Sequence, residues 1–140
     1  MGQLATTVEQ SQHLLDLGLS ADTADMCFDK GTDLTKAHLE CDNFITYFTN
    51  DEYPEVADRY VPAWSLEALL EVLPDEIRTH KGRFDAKYRF YWELHKNWIL
   101  YSCLDEDYSP LIEFDGKNNL EAVFNMVVWL LENGYIKKEA

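Results

Sequence analysis

Positive charge is scarce in this chain of 140 residues, which has 12 Lys and Arg against 26 Asp and Glu and a formal net charge of −14. Such a charge repels nucleic-acid phosphates and anionic lipid headgroups, so direct binding to nucleic acids or membrane surfaces is not expected. Long apolar runs are also lacking. The most apolar stretch, residues 123–131, is far shorter than the roughly 18 residues that a membrane span requires.

Cysteine is too sparse and too irregular for a disulfide framework. Only Cys27, Cys41 and Cys103 occur, and the first residues lack the basic and apolar regions of a secretory signal. We therefore expect free thiols and a cytoplasmic protein. The chain needs no covalent staples, because 46% apolar and 14% aromatic residues suffice for a core in one domain spanning residues 1–140.

Sequence signatures of catalysis are missing as well. The six glycines occur singly, so none forms a phosphate-binding loop, and no nucleophile motif of the G-x-S-x-G type is present. The closest pair of possible zinc ligands, His38 and Cys41, is predicted to lie on opposite faces of a strand. We predict no catalytic residue, no cofactor and no metal ligand, and the protein is not expected to be an enzyme.

One carboxylate pattern leaves an alternative open. The spacing Glu113-x-Asp115-x-Lys117, together with the distant Asp75, is similar to that of metal-dependent nucleases, in which acidic residues hold Mg²⁺. A turn that leads into the last helix explains the same residues more simply. A metal-dependent hydrolase with dispersed carboxylates would require at least two of them to converge in a pocket.

What the chain does contain is a period-two pattern over residues 84–94. Apolar residues occupy the even positions, and charged residues with one tyrosine occupy the odd ones. This pattern predicts a β-strand that buries its aromatic row and exposes its charged row, which includes Lys87 and Arg89. The charge also changes sign here, since residues 78–96 hold 6 Lys and Arg against 2 Asp and Glu, namely Arg78, Lys81, Arg83, Lys87, Arg89 and Lys96 against Asp85 and Glu93.

The remaining patterns predict an α+β fold with an antiparallel sheet of about five to six strands, built from hairpins and covered by a single layer of two or three helices. Capping residues mark helices over about 7–17, from Ser65 to Leu73, and from Asn118 to Gly134. Further strands are predicted at 24–28, 98–104 and 111–114, with a hairpin over 37–48 and a loop over 50–60.

The last predicted helix is apolar on most of its circumference. One side carries Val123, Val127 and Leu130, and the other carries Val128 and Trp129. A helix of this kind is normally covered on most sides. We therefore expect the sheet on one face and either another helix or a second subunit on the other.

Two segments resemble a known group of sequences. The segments VPAWSLEALL (residues 61–70) and AVFNMVVWLLENGY (residues 122–135) resemble small proteins encoded by gut Bacteroidales genomes and their prophages or mobile elements, over about a fifth of the chain. The resemblance implies a bacterial cytoplasm. It implies no activity and no catalytic residue, because none is assigned to that group.

These observations favour a small acidic cytoplasmic protein that acts by interaction or as an accessory, without catalysis. The predicted interaction patch comprises the exposed strand face with Arg83, Lys87, Arg89 and Tyr91, or the surplus apolar surface of the last helix with Trp129. Its partner is another protein or a second copy of the chain. The same basic residues have a simpler explanation, which is pairing with the excess acids of their own molecule.

A second functional class follows from the acidic first half. Residues 1–77 hold 16 Asp and Glu against 3 Lys and Arg, so the protein is alternatively a DNA mimic that inhibits a nucleic-acid-binding enzyme. This hypothesis requires a contiguous acidic stripe, with Asp51, Glu52, Glu55 and Asp58 aligned.

Overall fold

The computed structural model describes residues 3–30, 38–41, 59–80, 87–103 and 110–138. These residues form three α-helices and seven β-strands, which confirms the predicted α+β class. In chain order they are α1 (Val8–Asp16), β1 (Met26–Asp29), β2 (His38–Glu40), β3 (Tyr60–Ala63), α2 (Leu66–Val72), β4 (Glu76–His80), β5 (Lys87–Leu94), β6 (Trp98–Ser102), β7 (Ile112–Asp115) and α3 (Asn119–Glu132).

The strands belong to two antiparallel sheets, which answers the question that the sequence leaves open, namely whether the candidate strands form one sheet or two. One sheet has the order β2-β1-β3, and the other has the order β4-β5-β6-β7. Helix α2 separates β3 from β4 in the chain. In β3, Pro62 pairs with Cys27 of β1 and has no N–H for a further strand, which fits its place at a sheet edge.

Local capping sequences set the first two helices where the sequence predicts them. Thr7 caps α1 in a reciprocal capping box with Gln10, and Ser65 caps α2 by accepting a hydrogen bond from the backbone N–H of Ala68. Trp64 and Leu69 flank the start of α2 as a hydrophobic staple, and both are fully buried. The sequence predicts a loop that ends at Tyr60, whereas in the structure Tyr60 begins the strand Tyr60–Ala63.

The register of β5 agrees with the predicted alternation wherever the structure describes it. Phe90 is fully buried, and Tyr88, Trp92 and Leu94 pack against the same core, whereas Arg89 and Tyr91 are exposed. Residues 82–86 of the predicted strand lie outside the described residues. The same holds for most of the predicted hairpin over 37–48, of which His38–Glu40 is seen as β2.

Helix α3 covers the inner face of the four-stranded sheet. It packs against β6, β7 and α2. Helix α2 is therefore the second helix that one of the two predicted arrangements requires, the other arrangement being contact with a second subunit. Its buried side chains join Phe90, Ile99 and Tyr101 in one core. They are Leu120, Ala122, Val123, Met126, Val127, Leu130 and Leu131.

Candidate functional site

The surface of interest is the side of the four-stranded sheet that faces away from α3, called here the outer face. Strand alternation and register assign its side chains, because residues opposite Phe90 and Ile99 in the pleat point away from the core. With described side chains, the outer face comprises Glu76 and Arg78 of β4, Arg89, Tyr91 and Glu93 of β5, Trp98 and Ser102 of β6, and Glu113 and Asp115 of β7. Leu100 of β6 also points to this side but is only 7% exposed, so it is not part of the accessible surface.

Two arginines lie directly opposite each other on the outer face. Arg78 of β4 is the cross-strand partner of Arg89 of β5, and both are exposed. Like charges in this position destabilise a sheet. Arg78 has a local counterion, since its Nε lies 3.1 Å from Oε1 of Glu76, but Arg89 makes no ion pair with the residues that the structure describes. We call Arg78 and Arg89 the arginine pair.

Tyr91 lies beside the arginine pair, near the middle of the outer face. It is 38% exposed, one of the few large apolar side chains that the described surface presents to solvent. Its cross-strand neighbours are Glu76 on one side and Ser102 on the other. Tyrosine combines a rigid ring with a polar end, which makes it a frequent contact residue in protein interfaces.

The opposite corner of the outer face is acidic. Glu93, Glu113 and Asp115 all point outward here, and we call them the acidic corner. The carboxylate of Glu93 accepts a hydrogen bond of 3.4 Å from Ser102 Oγ and lies 3.5 Å from His95 Nε2, yet 49% of its side chain is exposed.

A cleft opens beside the acidic corner. It has a volume of about 530 Å³, and it is lined by Asn97, Trp98, Glu113, Phe114 and Asp115. The indole of Trp98 is fixed because the His95 ring stacks on it at a centroid distance of 4.0 Å and an interplanar angle of 7°. An indole beside two carboxylates forms a suitable environment for a guanidinium or ammonium group.

The residues predicted as the interaction patch separate into two surfaces. Arg89 and Tyr91 share the outer face, and Lys87 begins β5 at the register position opposite His80. Arg83 lies outside the described residues. Trp129 belongs to α3 and packs against the core that contains Phe90, so the sheet separates it from Arg89.

Trp129 lines a second, smaller groove. The groove has a volume of about 290 Å³ and lies between α1, β7 and α3, with His13, Phe114, Phe124 and Val128 among its walls. Trp129 is half-buried and stacks on Tyr135 at 5.5 Å. Because it is not fully buried, the predicted apolar surface of the last helix is partly present in the structure.

The nuclease-like pattern is only partly assembled. Glu113 and Asp115 line one cleft, but Asp75 precedes β4, at the opposite edge of the four-stranded sheet. Within the described ranges, no group of three or more His, Cys, Asp or Glu side chains is placed to hold a metal ion. The acids that decide the DNA-mimic hypothesis, Asp51, Glu52, Glu55 and Asp58, lie outside the described residues.

One further ion pair, between Arg59 and Asp29, lies at the three-stranded sheet and has a structural role. Arg59 donates hydrogen bonds of 2.7 and 2.9 Å from Nε and Nη2 to the two carboxylate oxygens of Asp29. The hydrogen bond to Asp29 and its charge raise the pKa of Arg59 above its usual value. This fork joins the end of β1 to the start of β3, so the single Arg of the acidic first half is already engaged.

Comparisons with protein-family models, with curated proteins and with solved structures find no match to this chain. No helix in the described part of the chain is long and apolar enough to cross a bilayer. The most specific features of the described surface are the arginine pair, Tyr91 and the acidic corner.

Proposed function

We propose that this is a non-enzymatic cytoplasmic interaction protein, and that the outer face of its four-stranded sheet binds a protein partner. The observation that carries this proposal is the arginine pair, in which two exposed guanidinium groups oppose each other on a molecule with a net charge of −14. Folding gains nothing from this juxtaposition, since like charges in register destabilise a sheet.

Binding gives the arginine pair a physical role. A carboxylate from a partner would relieve the repulsion and would accept paired hydrogen bonds from a guanidinium. Tyr91 adds apolar contact area beside it, and Tyr and Arg are enriched among the residues that dominate binding energy. The excess acids of the molecule itself do not supply this carboxylate to Arg89 from any described residue.

The cellular setting is part of the same proposal. Cys27 and Cys103 are buried and Cys41 is exposed, and no disulfide joins any two of them, which is typical of a reducing compartment. Together with the resemblance of residues 61–70 and 122–135 to Bacteroidales proteins, this supports a bacterial cytoplasmic protein, encoded by a genome, prophage or mobile element of that group.

The test is a comparison of two double variants with the same change in charge. Arg78→Glu with Arg89→Glu reverses the arginine pair, whereas Lys137→Glu with Lys138→Glu reverses two exposed charges after α3. A photo-crosslinking residue at position 91 reports binding in a gut Bacteroidales lysate. We expect the same cross-linked protein with the wild type and the Lys137/Lys138 variant, and its loss from the Arg78/Arg89 variant.

The proposal is contradicted if the arginine-pair variant, shown to be folded by its circular dichroism and melting temperature, cross-links as efficiently as the wild type. It is also contradicted if the two double variants lose the cross-link equally, because the effect then follows net charge and not this face.

A further inference from the structure

The outer face carries both members of a complementary charge pattern. On β5 alone, Arg89, Tyr91 and Glu93 are consecutive outward residues, so a cation, an aromatic ring and an anion follow one another along the strand. With about 3.4 Å per residue, the Cα atoms of Arg89 and Glu93 are each roughly 7 Å from that of Tyr91 along the strand. The order of these three residues is self-complementary about its centre.

The neighbouring strands extend the same pattern. The arginine pair adds Arg78 on the β4 side, whereas Glu113 and Asp115 of the acidic corner lie on β7 at the other edge. The arginine pair and the acidic corner therefore occupy diagonal positions on either side of the Tyr91 and Ser102 cross-strand pair.

From this layout we infer that the partner of the outer face is a second copy of this chain. The two copies form a two-fold dimer with Tyr91 near the axis, and the arginine pair of each copy contacts the acidic corner of the other. This inference rests on the proposed function, since it names the partner of the same surface. A two-fold interface uses the same patch on both subunits, so it requires a self-complementary patch of this kind.

The two halves of the outer face carry opposite charges. Arg89 has no counterion among the described residues, and the acidic corner holds exposed carboxylates beside Trp98. In the dimer, the cleft of about 530 Å³ next to Trp98 is available to an arginine side chain of the partner subunit. A guanidinium there would meet carboxylates at its edge and an indole at its face.

A second copy satisfies this surface better than a partner whose contact face is uniformly acidic. Such a face would neutralise the arginine pair but would be repelled by Glu93, Glu113 and Asp115. A copy of the chain neutralises both regions twice in one symmetric contact. Four strands at about 4.8 Å spacing give a narrow face, so we expect a weak dimer with a dissociation constant of micromolar order.

The experiment is charge complementation, followed by sedimentation equilibrium of the full chain from about 1 µM to about 500 µM. One variant, Arg78→Glu with Arg89→Glu, makes the outer face acidic throughout. The other, Glu113→Arg with Asp115→Arg, makes it mostly basic. We expect the wild type to be in a monomer–dimer equilibrium, and each variant alone to dimerise at least about tenfold more weakly, because like charges now meet across the axis.

The equimolar mixture of the two variants is the decisive sample. In the mixed dimer, the reversed arginine pair of one copy meets the reversed acidic corner of the other, and the unchanged halves meet as in the wild type. We expect the mixture to dimerise at least about tenfold more tightly than either variant alone. The Lys137→Glu with Lys138→Glu variant serves as the control and should match the wild type.

Three results would overturn the inference. They are a wild type that stays monomeric at every concentration, an arginine-pair variant that dimerises like the wild type, and a mixture that associates no better than its components. A monomeric wild type whose cross-link in the lysate still depends on the arginine pair would remove the dimer and retain the proposed function. A monomeric wild type without that dependence would remove both.

Discussion

At the scale of single residues, Tyr101 shows how one polar atom is accommodated in the core. The ring is buried near the end of β6, and its hydroxyl donates a hydrogen bond of 2.8 Å to the carbonyl oxygen of Pro74. Burial, and to a smaller extent the charge of Asp75, raise the pKa of Tyr101 far above its usual value. The folded protein therefore holds the neutral phenol more strongly than the unfolded chain does.

This shift predicts an alkaline loss of stability. Because the pKa is higher in the folded state, the contribution of Tyr101 is complete below the unfolded value of about 10 and declines as the pH rises above it. Replacement by Phe should lower the free energy of unfolding by about 1 kcal/mol at neutral pH and should make its decline above about pH 10 shallower. Urea unfolding at several pH values checks this. The prediction is contradicted if the free energy of unfolding falls equally steeply with pH above about pH 10 in the wild type and in the Phe variant.

Substitution of Thr6 should also lower the free energy of unfolding, because its hydroxyl forms hydrogen bonds with two groups inside the protein. Thr6 Oγ1 accepts a hydrogen bond of 3.0 Å from the backbone N–H of Trp64, and it forms a second hydrogen bond of 2.8 Å with the Ser11 hydroxyl. Thr6→Val keeps the shape and leaves both groups unsatisfied in a buried site, so we expect a loss of about 1–3 kcal/mol in unfolding free energy. Thr6→Ser keeps the hydroxyl and should lose clearly less, and equal losses would show that the hydrogen bonds are not the cause.

At the scale of elements, the two glycines that flank α3 are required for different reasons. A Cβ on Gly116 would lie 2.6 Å from the backbone nitrogen of Ala122 and 2.9 Å from Cβ of Glu121. Gly134 has open space around it but a φ of +78°, which side chains rarely adopt. The first position is limited by space and the second by backbone conformation.

The difference can be measured with three substitutions. Gly116→Ala must displace backbone at the start of α3 and should destabilise the protein by about 1–3 kcal/mol. Gly134→Ala should cost about 1 kcal/mol, and Gly134→Asn should cost less, because Asn tolerates the left-handed region. Thermal melts of the three variants give the order, and a neutral Gly116→Ala would show that the turn can move away from α3.

The elements that the sequence predicts well are those whose signals are local. Ser65 and Asn118 cap the helices that follow them, and the alternation in β5 assigns Arg89 and Tyr91 to one exposed face. The sequence does not predict the strands β3 and β4, because they carry little local pattern. Tyr60–Ala63 contains a proline and no alternation, and Glu76–His80 has Ile77 as its one buried apolar side chain.

The candidate site was predictable to the same extent. The residues of one strand can be assigned to a face from the sequence, whereas the position of Arg78 opposite Arg89 depends on a strand that the sequence did not reveal. Likewise, Glu113 and Asp115 form a recognisable pair of acids, but only the β6–β7 register places them beside Trp98. Trp129 lies on the opposite side of the sheet from the outer face because α3 packs on the inner side. This placement depends on tertiary packing, which no local sequence signal gives.

At the scale of the whole molecule, the net charge of −14 opposes compactness, because most of the charges repel one another. The proposed dimer combines attraction between facing opposite charges with repulsion between two copies that each carry −14. Salt screens all of these terms, since the Debye length falls from about 30 Å at 0.01 M to about 10 Å at 0.1 M. The stability of the monomer should therefore rise with salt.

The last prediction concerns the repulsion within one copy. At low protein concentration, an increase from about 0.01 M to about 0.3 M NaCl should raise the melting temperature by about 3 °C, because salt screens this repulsion. The arginine-pair variant, whose net charge changes from −14 to −18, should show a larger rise in melting temperature. A melting temperature that falls with salt would mean that attractive pairs such as Arg59 with Asp29 outweigh the net repulsion.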